Sequence, residues 1–294
     1  MAHHFWHHPA GRIAGRMALL PEEAHAVITD PDAPLSTVAV MRDVLADLDA
    51  DRPRSQQTSL GPSELGTPCQ RQIAMKLAGV PRQPDKRPPW APMQGTAMHV
   101  LMEEACRFHN TQLGRERWIV EQKLQIDFDG DITGHGDAYD TDDSMVVDWK
   151  YVGSTTLRKV KRKTIPIAEL VKVDYRVQGH LYGYGHWRAG RDVQWVRLVF
   201  LARSHDYDES AEWTERWDMD IAVNAIVRYY ATRDLVNALP LVDQPSLWGA
   251  VPAAPSDETC GWCPFRRTGG AADGTGCPGN TAAKIEKQTA GILA

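Results

Sequence analysis

The chain has 294 residues, 43% of them hydrophobic, with 33 Lys and Arg against 38 Asp and Glu and a formal net charge of −5. It can bury a sizeable core as one large domain or a domain with an extension, and it has no apolar run approaching a membrane span. The negative balance excludes an indiscriminate nucleic-acid coat, so any nucleic-acid contact has to come from a local basic patch.

Residues 1–55 precede every motif and read as an N-terminal extension, partly helical or mobile. His3, His4, His7 and His8 form a tag-like cluster of the kind expected at a mobile terminus. A helix is expected over 36–48, capped by Ser36, with Val40, Val44 and Leu48 on one stripe. The Pro-rich stretch 81–92 reads as a loop. Gly95 then leads into a helix with apolar residues at Met98, Leu101, Met102, Ala105 and Phe108, which sets His99 and Glu103 one turn apart. Strands are expected over 118–126, 132–139 and 145–151, a helix over 175–187, strands over 193–202 and 212–219, and a helix over 221–239. This is the order of an α/β/α sandwich. From residue 240 the chain is rich in Pro and Gly and carries the late cysteines.

Two of these strands form a hairpin around the polar turn Thr141-Asp142-Asp143-Ser144. Gly134-His135-Gly136-Asp137 lies on one strand and Asp148-Trp149-Lys150 on the other. Residues two apart in a strand share a face, so Asp148 and Lys150 point together while Trp149 points into the opposite layer. Two acids beside a lysine suit a hard divalent cation; a surface hairpin with a salt bridge is the competing reading. Gln178 and Tyr182 lie at i and i+4 on one helix face. The run Arg158-Lys159-Val160-Lys161-Arg162-Lys163 holds five cations in six residues directly after the Asp-x-Lys strand, a position suited to phosphate contact, with a plain solvated loop as the competing reading.

Five cysteines remain: Cys69, Cys106, Cys260, Cys263 and Cys277. Cys106 falls on the apolar side of the His99 helix and reads as a small core residue. The other four can ligate either iron or zinc. Disulfides compete, but no signal peptide is visible and the chain far exceeds the small secreted domains that need them, so a cytoplasmic location is expected. No helicase P-loop is present.

The order Gly95-x-x-x-His99, Gly134-x-x-Asp137, Asp148-x-Lys150, Gln178-x-x-x-Tyr182 resembles the RecB-like branch of the PD-(D/E)XK nucleases, over roughly residues 56–280. One early and three late cysteines enclosing these motifs resemble its iron–sulfur members: the CRISPR-associated RecB-like exonucleases, AddB-like helicase-nucleases and phage exonucleases. The resemblance implies an α/β nuclease core, a central mixed sheet flanked by helices. It implies a 4Fe-4S cluster on Cys69, Cys260, Cys263 and Cys277 that joins the N- and C-terminal parts of a 56–294 domain, with a cysteine-rich segment at 240–294. The thirteen residues between Cys263 and Cys277 exceed the compact spacing of that pattern. The resemblance further implies Mg²⁺ or Mn²⁺ on His99, Asp137, Asp148 and the Trp149 carbonyl. Lys150 would position water and stabilise phosphate charge, and Gln178 and Tyr182 would hold the substrate strand or the lysine. Glu103, one helical turn from His99, is a weaker candidate for supporting the metal ligands or holding a second metal, with a solvent-facing helix carboxylate as the competing reading. The implied function is metal-dependent exonucleolytic hydrolysis of single-stranded DNA ends in recombination, end processing or CRISPR spacer acquisition, with a possible helicase, recombination or CRISPR protein partner. The alternatives are a non-catalytic nucleic-acid-binding or assembly protein on the same fold, and a zinc-stapled hydrolase.

Overall fold

A computed structural model describes residues 37–51, 60–83, 89–162, 169–204, 206–267, 269 and 271–279. The N-terminal histidines, Ser36, the expected boundary at residue 55 and Lys163 of the basic run lie outside the described residues. The helices are α1 (Thr37–Ala50), α2 (Pro62–Leu65), α3 (Gln70–Leu77), α4 (Trp90–Leu113), α5 (Ser154–Val160), α6 (Val173–Arg188), α7 (Met219–Ala238) and α8 (Asp257–Gly261). The strands are β1 (Trp118–Gln125), β2 (Thr133–Asp140), β3 (Met145–Val152), β4 (Trp195–Ala202) and β5 (Ala211–Arg216).

The strands form one sheet in sequence order. β3 and β4 run parallel and all other neighbours antiparallel, so the sheet is mixed and one helical crossover, containing α5 and α6, links its middle strands. β4 is apolar on both faces, as a strand covered on both sides must be. Val196, Leu198 and Phe200 join one core cluster, and Val199 and Leu201 join another.

Helix α4 covers the first face with Met98, Met102 and Cys106 over Ala138, Met145, Val147 and Trp149. Trp149 therefore does point away from the layer of Val146, and Cys106 is a core residue whose thiol burial pushes up to about 11. The expected apolar face of this helix is off by a fraction of a turn, because Leu101 and Phe108 are 52% and 63% exposed. The loop expected over 81–92 ends early, since α4 begins at Trp90 and contains Pro92. In the first turn of a helix the missing proline N–H has no intrahelical acceptor to lose. Helix α1 forms as expected, with Val40, Val44 and Leu48 exposed to solvent.

The opposite face carries α2, α6 and α7. Helix α6 is buried continuously from Gln178 to His186. It approaches the sheet so closely that a Cβ on Gly179 would lie 2.5 Å from Val196 Cγ1. A polar clamp fixes it to β5. Arg176 Nε and His180 Nε2 each lie 2.6 Å from Glu215 Oε1, and Arg176 Nη2 lies 3.0 Å from Oε2. The Asp218 N–H donates to His180 Nδ1 at 3.1 Å, so the ring proton sits on Nε2, facing Glu215.

A satellite core of Ala74, Met75, Val80, Leu241, Trp248, Val251 and Phe265 binds α3 to the C-terminal segment. Backbone bonds tie the two together: Arg71 N–H to the Pro252 carbonyl at 2.8 Å and Gln83 N–H to the Pro264 carbonyl at 2.7 Å.

Candidate active site

The site begins where the β2–β3 ladder opens. Pairing runs from Asp140↔Met145 to Ala138↔Val147 and stops there. The next residue of β2 is Asp137, and its Oδ2 accepts the Trp149 N–H at 2.8 Å in place of a strand carbonyl. Glycines flank it because the other layer closes in. A Cβ on Gly134 would lie 2.8 Å from Pro62 Cδ, and one on Gly136 would lie 3.1 Å from Leu124 Cδ1 and 3.2 Å from His186 Nε2. The Gly-x-Gly-Asp sequence thus lets α2 and α6 settle on a strand that is splitting from its neighbour.

His99, from α4, places Nδ1 3.3 Å from Asp137 Oδ1. Burial alone would lower its pKa, but the bond to Asp137 and the charges of Asp137 and Asp148 outweigh burial and raise it. Glu121 of β1 completes a group with His99 and Asp137 whose ligand atoms all lie within 4.8 Å of one another. The sequence reading missed Glu121. The residue has φ +49°, which interrupts the β1–β2 pairing at that point. Burial, Asp137 and Glu103 all raise its pKa. Glu103, the weaker candidate, pairs instead with Arg107 at 2.7 Å on the outer part of α4.

Asp148 is fully buried, and among the described residues its Oδ1 has no hydrogen-bond partner. Lys150 Nζ lies 2.6 Å from Oδ2 as an ion contact, while its directed bond goes to Gln178 Oε1 at 2.8 Å. Burial pushes the Asp148 carboxyl up to about 7, against the pull of Lys150 and with added repulsion from Asp137. For Lys150, burial alone would lower the pKa, and the Asp148 and Asp137 charges hold it above the ordinary lysine value. Gln178 Nε2 donates to the Tyr182 hydroxyl at 3.3 Å, so Tyr182 is connected to Lys150 through Gln178. Trp149 takes part through its N–H.

The imidazole of His99 and the carboxylates of Asp137 and Glu121 form a donor set suited to a hard divalent cation such as Mg²⁺ or Mn²⁺, and the buried Asp148 carboxylate stands beside this group, paired with Lys150 through Oδ2.

The four expected cysteines also meet. Cys69, Cys260, Cys263 and Cys277 line a cavity of about 40 Å³ together with Arg71, Met75 and Arg266. All five cysteines are free thiols. Burial raises the Cys263 pKa, a backbone bond near Phe265 opposes this, and Cys69, Cys277 and Cys260 add to the rise. The long Gly-rich spacer before Cys277 doubles back through a turn at Asp273–Gly276, and the Cys277 N–H reaches the Phe265 carbonyl at 2.7 Å. A cavity wider than one water and lined by four thiols fits a thiolate-bound metal group.

The basic run is partly committed. Arg158, Lys159, Lys161 and Arg162 are exposed on and just after α5, and Lys161 pairs with Glu209 at 2.8 Å. Among the described residues no helix is long and apolar enough to cross a membrane.

No family model matches the sequence, and no curated protein matches it. Among solved structures, an alkaline exonuclease from Laribacter hongkongensis is similar at 14% identity over 63% of this chain and 91% of that one, with a TM-score of 0.44. The same exonuclease in complex with dAMP gives 15% identity over 63% and 90%, with a TM-score of 0.44. The protein SSO0001 gives 15% identity over 76% and 92%, with a TM-score of 0.43.

Proposed function

We propose that this chain is a metal-dependent DNA nuclease acting on strand ends. The observation that carries the reading is the convergence on one split in the sheet of Asp137, His99, Glu121, the buried Asp148 and a Lys150 held by Gln178. A structural hairpin has no use for a buried carboxylate with one unpartnered oxygen beside two further acids. His99, Asp137 and Asp148 would hold Mg²⁺ or Mn²⁺, with Glu121 and the Trp149 carbonyl as further oxygens. Such an ion neutralises phosphate charge and lowers the pKa of bound water.

The protein's own groups supply the rest. Asp137 is oriented by the Trp149 N–H and His99, so its carboxylate needs no rearrangement to present an oxygen. Lys150 is a charged donor fixed between Asp148 and Gln178, placed to offset charge developing on a phosphate oxygen. Gln178 is in turn held by Tyr182. Arg158, Lys159 and Arg162 offer a surface for the phosphate backbone near the end of β3. Action on ends, with a preference for single strands, is the part of the proposal that rests on the order of the sequence motifs.

A 4Fe-4S cluster on Cys69, Cys260, Cys263 and Cys277 belongs to the same proposal. It would tie α3 to the C-terminal segment across the satellite core, supported by the four thiols lining one cavity. A single zinc ion is the competing occupant.

The test is digestion of end-labelled single- and double-stranded DNA by anaerobically purified protein with Mg²⁺ or Mn²⁺ and with EDTA. Divalent-dependent loss of the terminal label supports the proposal. Intact DNA under every condition overturns it.

A further inference from the structure

Lys150 has three N–H donors, and two of its partners are Asp148 Oδ2 at 2.6 Å and Gln178 Oε1 at 2.8 Å. The third side of the ammonium faces the ring of Tyr175, whose centroid lies 4.7 Å from Nζ. That distance is within cation–π range, and the site is partly screened from water. Tyr175 lies in the first turn of α6, three residues before Gln178 and seven before Tyr182. At i, i+3 and i+7 the three side chains share one helix face. Tyr175 is half-buried and packs against the core cluster that contains Val152, Leu157, Val171 and Trp213, which supports its ring independently of the ammonium. A second cation, Lys172 Nζ, lies 5.7 Å from the same centroid.

We propose that Tyr175 is a positioning residue that seats the Lys150 ammonium through the face of its ring. The role in catalysis rests on the nuclease reading; the contact itself does not. Asp148 and Gln178 can exchange Lys150 for solvent or for a substrate phosphate. The ring rests on the core and not on these two groups, so the ammonium keeps one wall while its polar partners change. The face of the ring carries this effect and the hydroxyl does not, which makes the consequence separable from a general loss of packing.

The experiment compares Tyr175→Phe and Tyr175→Leu in the full chain, by DNA-cleavage kinetics and by NMR of ¹³Cε-labelled lysine, with Lys150→Arg locating the Lys150 signal. Tyr175→Leu should lower kcat by about 3- to 30-fold with little change in KM, and Tyr175→Phe should stay within about twofold of wild type. The Lys150 ε-methylene protons should be shifted upfield by the ring in wild type and in Tyr175→Phe, and should return to the ordinary lysine position in Tyr175→Leu. A merely space-filling tyrosine would lower stability in Tyr175→Leu without moving the Lys150 signal or the kcat of the folded fraction, and either finding overturns the proposal. Equal losses in the Phe and Leu variants would also overturn it, because the hydroxyl would then carry the effect. If wild type cleaves no DNA, the nuclease reading falls and the NMR alone decides. An upfield shift lost in Tyr175→Leu upholds the seat, and an unshifted wild-type signal overturns it.

Discussion

Glu215→Gln tests how the site is held in place. In the wild type the Glu215 carboxylate takes the Arg176 guanidinium through both oxygens and the His180 ring through one, at 2.6–3.0 Å. The His180 side chain is fully buried, Glu215 is 14% exposed and Arg176 29%. Glutamine keeps the shape but turns one acceptor into an N–H₂ facing donors, and it removes the charge. Charge-assisted bonds of this kind contribute about 1.5–3 kcal/mol each, and breaking a fully buried pair costs roughly 3–5 kcal/mol. Solvent screening at Arg176 discounts the upper figure, so the expected loss is about 2–3 kcal/mol. For a domain of this size that corresponds to a fall in Tm of roughly 5–10 °C.

The pH dependence has a definite sign. Burial alone would raise the Glu215 pKa, but the hydrogen bonds from His180 and Arg176 and the Arg176 charge lower it further than burial raises it. A depressed carboxylate contributes stability that is fully present above its unfolded pKa, about 4.3, and is lost as pH falls through the folded value. The gap in Tm between wild type and variant should therefore be constant from about pH 6 to 8 and should narrow below about pH 4. Thermal unfolding followed by circular dichroism across this range measures it. An unchanged Tm at pH 7, or a gap that widens on acidification, would refute the clamp.

Anaerobically purified protein should be brown, and serine at Cys69, Cys260, Cys263 or Cys277 should bleach it and destabilise the α3 junction, while Cys106→Ser should keep the colour; a colourless protein with one zinc would replace the cluster by a zinc staple. Alanine at Arg158, Lys159, Lys161, Arg162 and Lys163 together should flatten the slope of log affinity for single-stranded DNA against log salt by about 2, at roughly 0.7 for each of the three exposed cations without an ion pair among the described residues. An unchanged slope would make the run a solvated loop.

Much of this architecture was legible in the sequence, for physical reasons. β3 and β4 are dense in Val, Trp and Leu and bounded by turns, so their limits differ from expectation by two residues or fewer. The spacing of Gln178 and Tyr182 needs only a helix to bring them to one face, and α6 supplies it. The parts that were not legible depend on contacts between distant segments. Glu121 joins His99 and Asp137 through a left-handed backbone conformation in the middle of a strand, for which Glu has no intrinsic preference. Tyr175 faces Lys150 because α6 crosses β3 at a particular angle, which no spacing encodes. Helix α4 carries apolar residues over a wide arc, so periodicity alone could not choose the Met98–Met102–Cys106 row over Leu101 and Phe108. Cys277 entered through the resemblance alone, and the long spacer before it is accommodated by two glycines with positive φ, Gly269 and Gly276, at the turn that returns the chain.

The most direct measurement is the rate at which Asp148→Ala releases label from the ends of single-stranded DNA in Mn²⁺, compared with wild type at equal folded concentration. Asp148 is the buried carboxylate that pairs with Lys150 through Oδ2 and leaves Oδ1 unpartnered among the described residues, and its loss should lower the rate by at least about 10²–10³-fold while DNA binding persists. Cleavage by Asp148→Ala at the wild-type rate would contradict the assignment of this site as a nuclease centre.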